Sequence, residues 1–301
     1  MAEGISLIEK KPIEGDLVDI MGGNVRIESP IHNHGFVALV DVMPRLVPEG
    51  QTADYAIAQA ARVSYGAGTK KAREDEALIR YLLRKRHTSP FEMIETKWHC
   101  KMPIFVARQW IRHRTANVNE YSGRYSVMRS EFWRPDHVRK QDTVNKQGSF
   151  IDTDQELLEA FLSYLDDSER QYNSYENLVS EGLGKELARV GLPLSMYTEW
   201  YWKIDVHNLL HFLGLRMDAH AQKEIRDYAN AMFSIMKSIA PVTMNAFVDY
   251  RLNPITFTGP ELKALQHPLD TWKRHLSSRE CDELMEKWEA FQSLTGDAGD
   301  Q

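Results

Sequence analysis

The chain has 301 residues, of which 43% are hydrophobic, 10% aromatic and 27% charged, and its formal net charge is −6. This composition is typical of a globular protein, and the negative charge gives no reason to expect nucleic acid or a membrane as a partner. The N-terminus does not resemble a signal peptide, no apolar run approaches the roughly 20 residues of a membrane span, and Cys100 and Cys281 make no disulfide framework, so we expect a cytoplasmic protein.

In chain order, the first half mixes predicted strands and helices. Residues 36–43 form an apolar run that predicts a buried strand, and the spacing of apolar residues predicts helices over 53–64 and 72–86. Residues 93–102 alternate in polarity, which predicts a strand with one apolar face and one wet or inter-subunit face. Pro103 suits the start of a helix that runs to about His113.

The second half opens with a polar, unpatterned segment at 137–153, which predicts a loop or insertion. Thr153 and Glu156 have the spacing of a capping box that opens a long amphipathic helix. The remaining predicted elements are a strand over 194–204, helices at about 206–216 and 219–239, and one short helix after Gly259. Since strands and helices do not alternate regularly, we predict an α+β fold with mainly antiparallel strands.

Positive charge concentrates between Arg108 and Lys140, a segment that contains eight Lys and Arg residues but three acidic residues. A solvated face is the ordinary explanation. An anion site is the alternative, because Arg108 and Arg112 are four residues apart and a glycine-containing loop follows from Tyr121 to Tyr125. Guanidinium groups bind phosphate oxygens in pairs, and glycine lets backbone N–H groups approach. The sequence contains no Rossmann, P-loop or GxSxG pattern. The aromatic residues interleaved with the basic ones in this segment also suit the binding of single-stranded nucleic acid.

A second concentration of polar residues lies between Asp205 and His220. His207 and His211 are four residues apart on a predicted helix, a spacing that can bind Zn²⁺. The pair lacks the glutamate of an HExxH motif, and no cysteine lies nearby. We therefore expect no metal site and interpret the pair as lining a ligand pocket or an interface, with core histidines and a zinc enzyme as the alternatives.

Arg112-His113-Arg114, seven further residues and then Ser122 resemble the RHR-x7-S signature of the flavin-dependent thymidylate synthases. The similarity spans about residues 36–250 in five ordered blocks, at 61–65, 87–92, 109–126, 186–189 and 213–222. It implies a catalytic domain over 36–254 with a loop insertion at about 137–153, between an N-terminal arm (1–35) and a C-terminal extension (255–301).

The resemblance also implies an activity and an assembly. The family converts dUMP to dTMP with methylenetetrahydrofolate as the carbon donor, FAD as the redox cofactor and NADPH as the usual reductant. Its α+β protomers form a homotetramer with active sites at the subunit interfaces, and its partners are small molecules, not nucleic acid or a membrane. A nucleic-acid-binding module and a zinc enzyme are the two alternatives from other classes.

Site residues follow from the same resemblance. The implied FAD contacts are Ser64, His87, Ser89, Arg112, His113, Arg114, Glu120, His207 and His211. The implied dUMP contacts are Gln109, Arg112, Glu120, Ser122, Gly123, Arg124, Tyr125, Arg189 and Arg216. Residues 205, 207 and 211 stand at positions where the family carries different residue types, whereas the residues of the signature match it.

Two of these residues are predicted to be catalytic, Arg216 and Ser122. A fixed guanidinium at Arg216 would stabilise negative charge on the uracil ring without a proton transfer. Ser122 is predicted to position the substrate without bonding to it, because the sequence shows no activating base, although Glu120 and His113 are near in sequence. Cys100 and Cys281 are expected to be buried or incidental residues and not nucleophiles.

Overall fold

The computed structural model describes residues 5–7, 16–20, 24–64, 75–142 and 148–296. The chain divides into two compact units, Met1–Phe247 and Val248–Gln301. Helices combined with antiparallel sheets confirm the predicted α+β class. The domain boundaries at 35 and 254 stay predictions. None of the helices within the described ranges is long and apolar enough to cross a membrane.

The first unit contains all the strands of the described residues. They are β1 (Ile5–Leu7), β2 (Asp16–Ile20), β3 (Asn24–Ile31), β4 (Gly35–Met43), β5 (Leu46–Pro48), β6 (Glu95–Pro103), β7 (Asn117–Glu120), β8 (Val138–Gln141), β9 (Ser149–Asp152) and β10 (Tyr197–Asp205). Its helices are α1 (Asp54–Val63), α2 (Asp75–Arg84), α3 (Ile104–Trp110), α4 (Gln155–Ser180), α5 (Lys185–Ala188), α6 (Val206–Arg216), α7 (Lys223–Ile239) and α8 (Pro241–Phe247), with 3₁₀ segments at Ser89–Met93 and Arg189–Gly191. The strands predicted near β4, β6 and β10 and the helices predicted near α1, α2, α6 and α7 are confirmed.

The main sheet has six antiparallel strands in the order β2-β3-β4-β6-β10-β7. β6 lies at its centre and pairs with β10 from Tyr197↔Pro103 to Asp205↔Glu95. The segment interpreted as an N-terminal arm contributes β2 and β3 to this sheet. Short β7 forms the opposite edge and pairs with β10 alone, which places the residues on either side of β7 at the rim of the sheet.

The alternation predicted for β6 is present from Glu95 to Cys100, but Lys101, predicted on the wet face, is buried. Thr96, Trp98 and Cys100 are buried, whereas Lys97 and His99 on the other face are partly exposed. The buried face packs into an aromatic core whose largest fully buried side chains include Trp98, Trp110, Trp200, Trp202, Tyr228, Phe91, Phe212 and Phe247. This core connects the sheet to helices α3, α6, α7 and α8.

Gly35 allows α7 to approach the sheet closely. The hydroxyl group of Tyr228 donates to the carbonyl oxygen of Lys101 at 2.8 Å. A Cβ atom on residue 35 would overlap that hydroxyl group and would lie 2.7 Å from the carbonyl oxygen of Ile31. A side chain at this position would therefore push α7 away from β4 and β6.

Two sequence-based predictions about helix ends are wrong. The helix predicted to reach His113 ends at Trp110, and the chain continues in turns in which Arg112 N donates to Gln109 O and His113 N to Trp110 O. Such tightening is common at helix C-termini, where the last carbonyl groups lack α-helical partners. Helix α4 is capped by Asp154 and not by Thr153, since the Asp154 carboxylate accepts from Leu157 N at 3.0 Å.

The loop predicted over 137–153 contains a hairpin, because β8 pairs with β9 from Val138↔Asp152 to Gln141↔Ser149. Its polar sequence lacks a core-facing pattern, so periodicity did not reveal the strands. That this segment is an insertion stays a prediction.

The second unit contains more structure than the single short helix predicted for the tail. It has α9 (Gly259–Ala264), α10 (Ser278–Gly296) and a 3₁₀ segment at Leu269–Arg274. Its core is formed by Ala264, Trp272, Leu276, Cys281 and Leu284.

Candidate active site

Trp110 at the end of α3 connects the two polar concentrations of the sequence. Its ring is fully buried and lies 5.0 Å from the ring of Phe212 on α6 and 5.4 Å from that of Trp202 on β10, between centroids. The end of α3 is therefore fixed against the helix that carries His207 and His211. Arg112 follows two residues after Trp110, and the ring of His113 also contacts Phe212, with centroids 4.9 Å apart.

His113 and Arg216 are hydrogen-bonded to each other at this junction. The Nε–H of Arg216 donates to Nε2 of His113 at 3.0 Å, so the imidazole is neutral and carries its proton on Nδ1. Burial, then the charge of Arg216 and then that of His211, lower the pKa of His113 to about 4. The ring of His211 lies 6.0 Å from that of His113. His113 thus meets two predicted residues of α6, His211 and Arg216, from a distant part of the chain.

Arg216 is held at its Nε, and its two terminal nitrogen atoms have no partner among the described residues. Burial lowers the pKa of this guanidinium, which nevertheless stays charged, as arginine does in proteins. A cation in a partly desolvated site acts more strongly on a neighbouring charge than it does in water. Arg216 therefore presents a charged, oriented pair of donors to a ligand.

Gln109 lies on the last turn of α3, three residues before Arg112. Its side-chain nitrogen donates to the side-chain oxygen of Gln222, in the turn before α7. We call the residues gathered here the α3–α6 group: Gln109, Arg112, His113, His211 and Arg216.

A second group lies beyond β7 and is called the loop group: Ser122, Gly123, Arg124 and Arg189. Ser122 O accepts from the backbone N–H groups of Tyr125 and Ser126 at 3.2 and 3.1 Å, and its hydroxyl oxygen accepts from Arg124 N at 3.3 Å. Within the described ranges this hydroxyl group contacts no carboxylate or imidazole. The loop is a tight turn whose serine lacks an adjacent base.

Gly123 is buried against Arg189. A Cβ atom on residue 123 would lie 3.1 Å from Cδ of Arg189 and 3.0 Å from Sδ of Met128. Met128 is in turn held by α4, where the hydroxyl of Tyr172 donates to Met128 O at 2.7 Å and Met128 N donates to the hydroxyl of Tyr175 at 3.0 Å. The absence of a side chain at residue 123 therefore lets the loop and Arg189 pack together.

Glu120 and Arg124 at the two ends of this turn each have a partner. The hydroxyl group of Thr198 donates to the carboxylate of Glu120 at 2.6 Å. Arg124 Nε donates to the carboxylate of Glu186 at 3.2 Å, an exposed pair. Tyr125 is exposed, and its carbonyl oxygen accepts from Lys185 Nζ at 3.0 Å. These contacts connect the loop to β10 and α5.

Several arginines in these two groups or next to them in sequence lack acidic partners among the described residues. The side chains of Arg108, Arg112, Arg114 and Arg189 are exposed and make no ion pair with any residue in the described part of the chain. Uncompensated cations beside a glycine-containing turn are suited to bind phosphate groups.

The two groups are separated by β7. Its four residues span about 13 Å at the usual rise of a strand. Within the described ranges no hydrogen bond or ion pair joins a side chain of the α3–α6 group to one of the loop group. Within the described residues the chain thus assembles each group without a direct polar contact between their side chains.

The remaining residues predicted to contact FAD lie around α6. Ser64 follows α1, Ser89 begins the adjacent 3₁₀ segment, and this segment packs against both α1 and α6, the helix that carries His207 and His211. His87 is exposed and stacks on Tyr81 with centroids 6.1 Å apart. These elements adjoin the α3–α6 group through His211.

Asp205 has a structural role. Its carboxylate caps α6 by accepting from Asn208 N at 2.9 Å and from Asn208 Nδ2 at 2.6 Å. Both oxygens are therefore engaged, which explains an aspartate at this position without a ligand.

The cysteines and the histidine pair were the other candidates for chemistry. Cys100 is fully buried in β6, and burial holds the pKa of its thiol well above the usual value. Cys281 is buried in the core of the second unit. Among the described residues no cluster of three or more His, Cys, Asp or Glu side chains is arranged to bind a metal ion.

Sequence reasoning missed three residues that hold predicted site residues or their partners: Thr198, Arg139 and Glu224. Thr198 holds Glu120 across the sheet. Glu224 accepts from Gln222 and from Arg139 of the β8–β9 hairpin. The signal for Glu224 was its position just after the block at 213–222, and the signal for Arg139 was its place in the basic segment from Arg108 to Lys140.

The chain resembles known proteins over most of its length. Residues 45–242 match the family model Thy1, described as thymidylate synthase complementing protein. The flavin-dependent thymidylate synthase of Dictyostelium discoideum is 56% identical over 285 residues, which cover 93% of each chain. That of Wolbachia pipientis wMel is 53% identical over 243 residues, which cover 78% of this chain and 82% of the relative.

The fold also matches solved structures. The UMP/dUMP methylase PolB from Streptomyces cacaoi, bound with 5-Br UMP, superposes with a TM-score of 0.64 at 29% identity, covering 74% of this chain and 97% of that one. Its structure with 5-Br dUMP gives the same TM-score at 30% identity and covers 75% of this chain and 100% of that one. With a matching family model and a relative more than half identical over nearly the whole chain, the protein belongs to the flavin-dependent thymidylate synthases, a family of enzymes.

Proposed function

We propose that this enzyme converts dUMP to dTMP, with methylenetetrahydrofolate as the carbon donor, FAD as the redox cofactor and NADPH as the reductant. The observation that carries the proposal is the hydrogen bond from Arg216 to a neutral His113, which orients a partly buried guanidinium. The curated relatives named as flavin-dependent thymidylate synthases support the reaction class.

Arg216 is proposed to bind the uracil ring. Methylation at C5 requires that carbon to become nucleophilic, so negative charge develops on the ring nitrogen and oxygens. The terminal N–H groups of Arg216 would stabilise that charge, and because His113 already holds Nε, little reorganisation is needed during the reaction. His113 is proposed to be a positioning residue in this step, since its neutral ring accepts a hydrogen bond and leaves the cation intact.

The loop group is proposed to bind the phosphate of dUMP. Arg189 has no acidic partner among the described residues, and Gly123 lets it approach the turn. Arg124 would exchange its exposed contact with Glu186 for a phosphate oxygen, at small cost because exposed ion pairs contribute little. Ser122 is proposed to position the nucleotide with its hydroxyl group and not to attack it.

The residues around α6 fit a flavin dinucleotide. Its diphosphate is anionic, and Arg112 and Arg114 are exposed cations without described partners at the end of α3. Hydroxyl and imidazole donors at Ser64, Ser89 and His207 lie on the elements that pack together beside them. When bound, FAD would supply the redox chemistry. The protein would bind, orient and shield it.

A complete site is proposed to need a second copy of the chain. The α3–α6 group and the loop group are separated by the length of β7, whereas one nucleotide must contact both. Apolar side chains beside the loop group are open to solvent in the single chain, with Leu187 63% and Val190 77% exposed. Their burial by a partner fits the homotetramer with shared sites that we propose.

The proposal is tested by the absorbance spectrum of the purified protein, followed by tritium release from [5-³H]dUMP. We expect flavin bands and a release that requires methylenetetrahydrofolate and NADPH together. Bound flavin without release would leave a flavoprotein with another substrate. Absence of flavin even after FAD is added would refute the proposed function.

A further inference from the structure

Glu120, the last residue of β7, lies between the two groups of the candidate site. Ser122 of the loop group is the second residue after it. In the register of the sheet Glu120 lies opposite Trp200 of β10, and residues that pair directly in an antiparallel sheet have their side chains on the same face. Trp200 packs on this face against Trp110 of α3, with ring centroids 5.6 Å apart. The carboxylate of Glu120 therefore lies on the face of the sheet that carries the α3–α6 group.

The hydroxyl group of Thr198 holds this carboxylate in place. It donates to Oε1 of Glu120 at 2.6 Å. Thr198 is only 4% exposed and belongs to an inner strand of the sheet, paired with β6 and β7. Its β-branched side chain has few rotamers, so the position of the donor is fixed. Glu120 is exposed on an edge strand and without this contact would sample several rotamers.

The contact with Thr198 leaves the other carboxylate oxygen of Glu120 for a ligand. Among the described residues Oε2 has no hydrogen-bond partner, and Glu120 makes no ion pair. An ionised carboxylate accepts hydrogen bonds without donating any, and its charge repels phosphate. Oε2 is therefore suited to accept from an O–H or N–H group of a nucleotide or a flavin, whereas the nearby arginines are suited to the phosphates.

We propose that Thr198 is a positioning residue, which fixes Glu120 so that one carboxylate oxygen accepts hydrogen bonds from both FAD and dUMP. This inference rests on the proposed function and on the two contacts proposed for Glu120, one with each ligand. Thr198 touches neither ligand and acts through Glu120. Because the carboxylate is already held, less side-chain freedom is lost when either ligand binds.

The test measures two dissociation constants, that of FAD from the flavin fluorescence released on dilution of the holoenzyme, and that of dUMP with the FAD-loaded enzyme. Thr198→Val keeps the branched shape of the side chain and removes the hydroxyl group. We expect both dissociation constants to rise by about tenfold, the effect of roughly one net hydrogen bond. For dUMP the loss should appear in KM more than in kcat, because Glu120 is proposed to bind and not to react. Thr198→Ser, which keeps the hydroxyl group, should retain most of both affinities.

A double-mutant cycle separates positioning from a general structural role. In a Glu120→Ala background there is no carboxylate to position, so Thr198→Val should cause no further loss of affinity. A structural defect would instead add to the loss that Glu120→Ala causes. An additive loss for both ligands would therefore overturn the inference.

Thr96→Val is the matched control. Thr96 is a buried threonine on the same face of the sheet, 1% exposed, and its hydroxyl group donates to Ile204 O at 2.8 Å. Its variant should keep both wild-type dissociation constants. If Thr198→Val does not fold, Thr198→Ala, which also removes the hydroxyl group and adds no bulk, decides the question in both backgrounds.

A folded Thr198→Val variant with wild-type dissociation constants would overturn the inference, as would a loss of affinity for only one of the two ligands. Both results leave the proposed function intact. A wild-type enzyme that binds neither FAD nor dUMP refutes the proposed function itself, so the two failures are distinguishable.

Discussion

The α3–α6 group and the loop group carry similar residues but are built differently. The first rests on fully buried aromatic rings, and its guanidinium and imidazole are already bonded to each other. The second is a turn beside exposed Leu187 and Val190, and its Arg124 makes an exposed ion pair with Glu186. Only the first can be preorganised within one chain. The second is proposed to depend on a partner, so we expect substitutions in the two groups to have different effects.

The largest effect should come from removing Trp110, the buried aromatic residue that supports the α3–α6 group. Trp110→Ala would leave a cavity among Trp200, Trp202 and Phe212, and we expect it to lower the free energy of unfolding by about 3–5 kcal/mol. Chemical denaturation measures this. Trp110→Phe, which keeps an aromatic ring, should lose less, and an Ala variant with a wild-type denaturation midpoint would contradict the described core.

Arg216→Ala should leave the fold intact and reduce kcat by about 10²–10³-fold, as expected for loss of one oriented donor group in a desolvated site. Steady-state tritium release measures it. Arg279→Ala is the control, because that arginine is exposed on α10 and pairs only with Glu283. A loss confined to KM would show that Arg216 binds the ground state and does not stabilise developing charge.

The low pKa of His113 makes the α3–α6 group sensitive to acid. Its folded-state pKa of about 4 lies below the ordinary value of 6.5, so the unfolded chain takes up the proton first. The stabilisation from neutral His113 is therefore fully present above pH 6.5 and is lost as pH falls through about 4. Below about 4, protonation also breaks the bond from Arg216, and activity should drop about tenfold per pH unit.

The non-titrating variant His113→Asn checks this assignment. Its unfolding free energy should vary less between pH 4 and 6.5 than that of the wild type, as measured by denaturation at each pH. Identical pH dependence in both proteins would rule out His113 as the titrating group.

The smallest effect is expected in the loop group. In Gly123→Ala the added methyl group crowds the flexible side chains of Arg189 and Met128, so these must shift by a few tenths of an ångström. We expect KM for dUMP to rise by about tenfold at most with kcat nearly unchanged, since the loop is proposed to bind the phosphate and not the reacting ring. Gly184→Ala, where no atom lies within 4 Å of the new Cβ, is the control.

Sequence periodicity predicted the elements that bury a continuous face. The alternation in β6 fixes which side faces the core, and the structure agrees for Trp98 and Cys100. The long helix predicted to be amphipathic, α4, buries Leu165, Tyr172 and Tyr175 on one face. The β8–β9 hairpin was missed because its strands are largely exposed and polar, so burial imposes no pattern on them. Asp154 was missed as the cap of α4 because two capping residues stand side by side in the sequence.

Spacing and resemblance named the candidate site residues, but not their contacts. The bond between His113 and Arg216 joins positions 103 residues apart, and the contact of Gly123 with Arg189 depends on a turn that no local pattern specifies. The contacts that link Gln109 through Gln222 and Glu224 to Arg139 were equally invisible, since they require α3, the turn before α7 and the hairpin to be adjacent in space.

The edge strand β7 imposes a constraint on chain length. It occupies four of the seven residues between Arg114 and Ser122 and is held in register by β10, from Trp200↔Glu120 to Lys203↔Asn117. Inserting or deleting one residue in β7 would move every later side chain of that strand to the opposite face of the sheet, because side chains alternate along a strand. Chain-length variants of β7 that remain active should therefore differ by two residues and not by one.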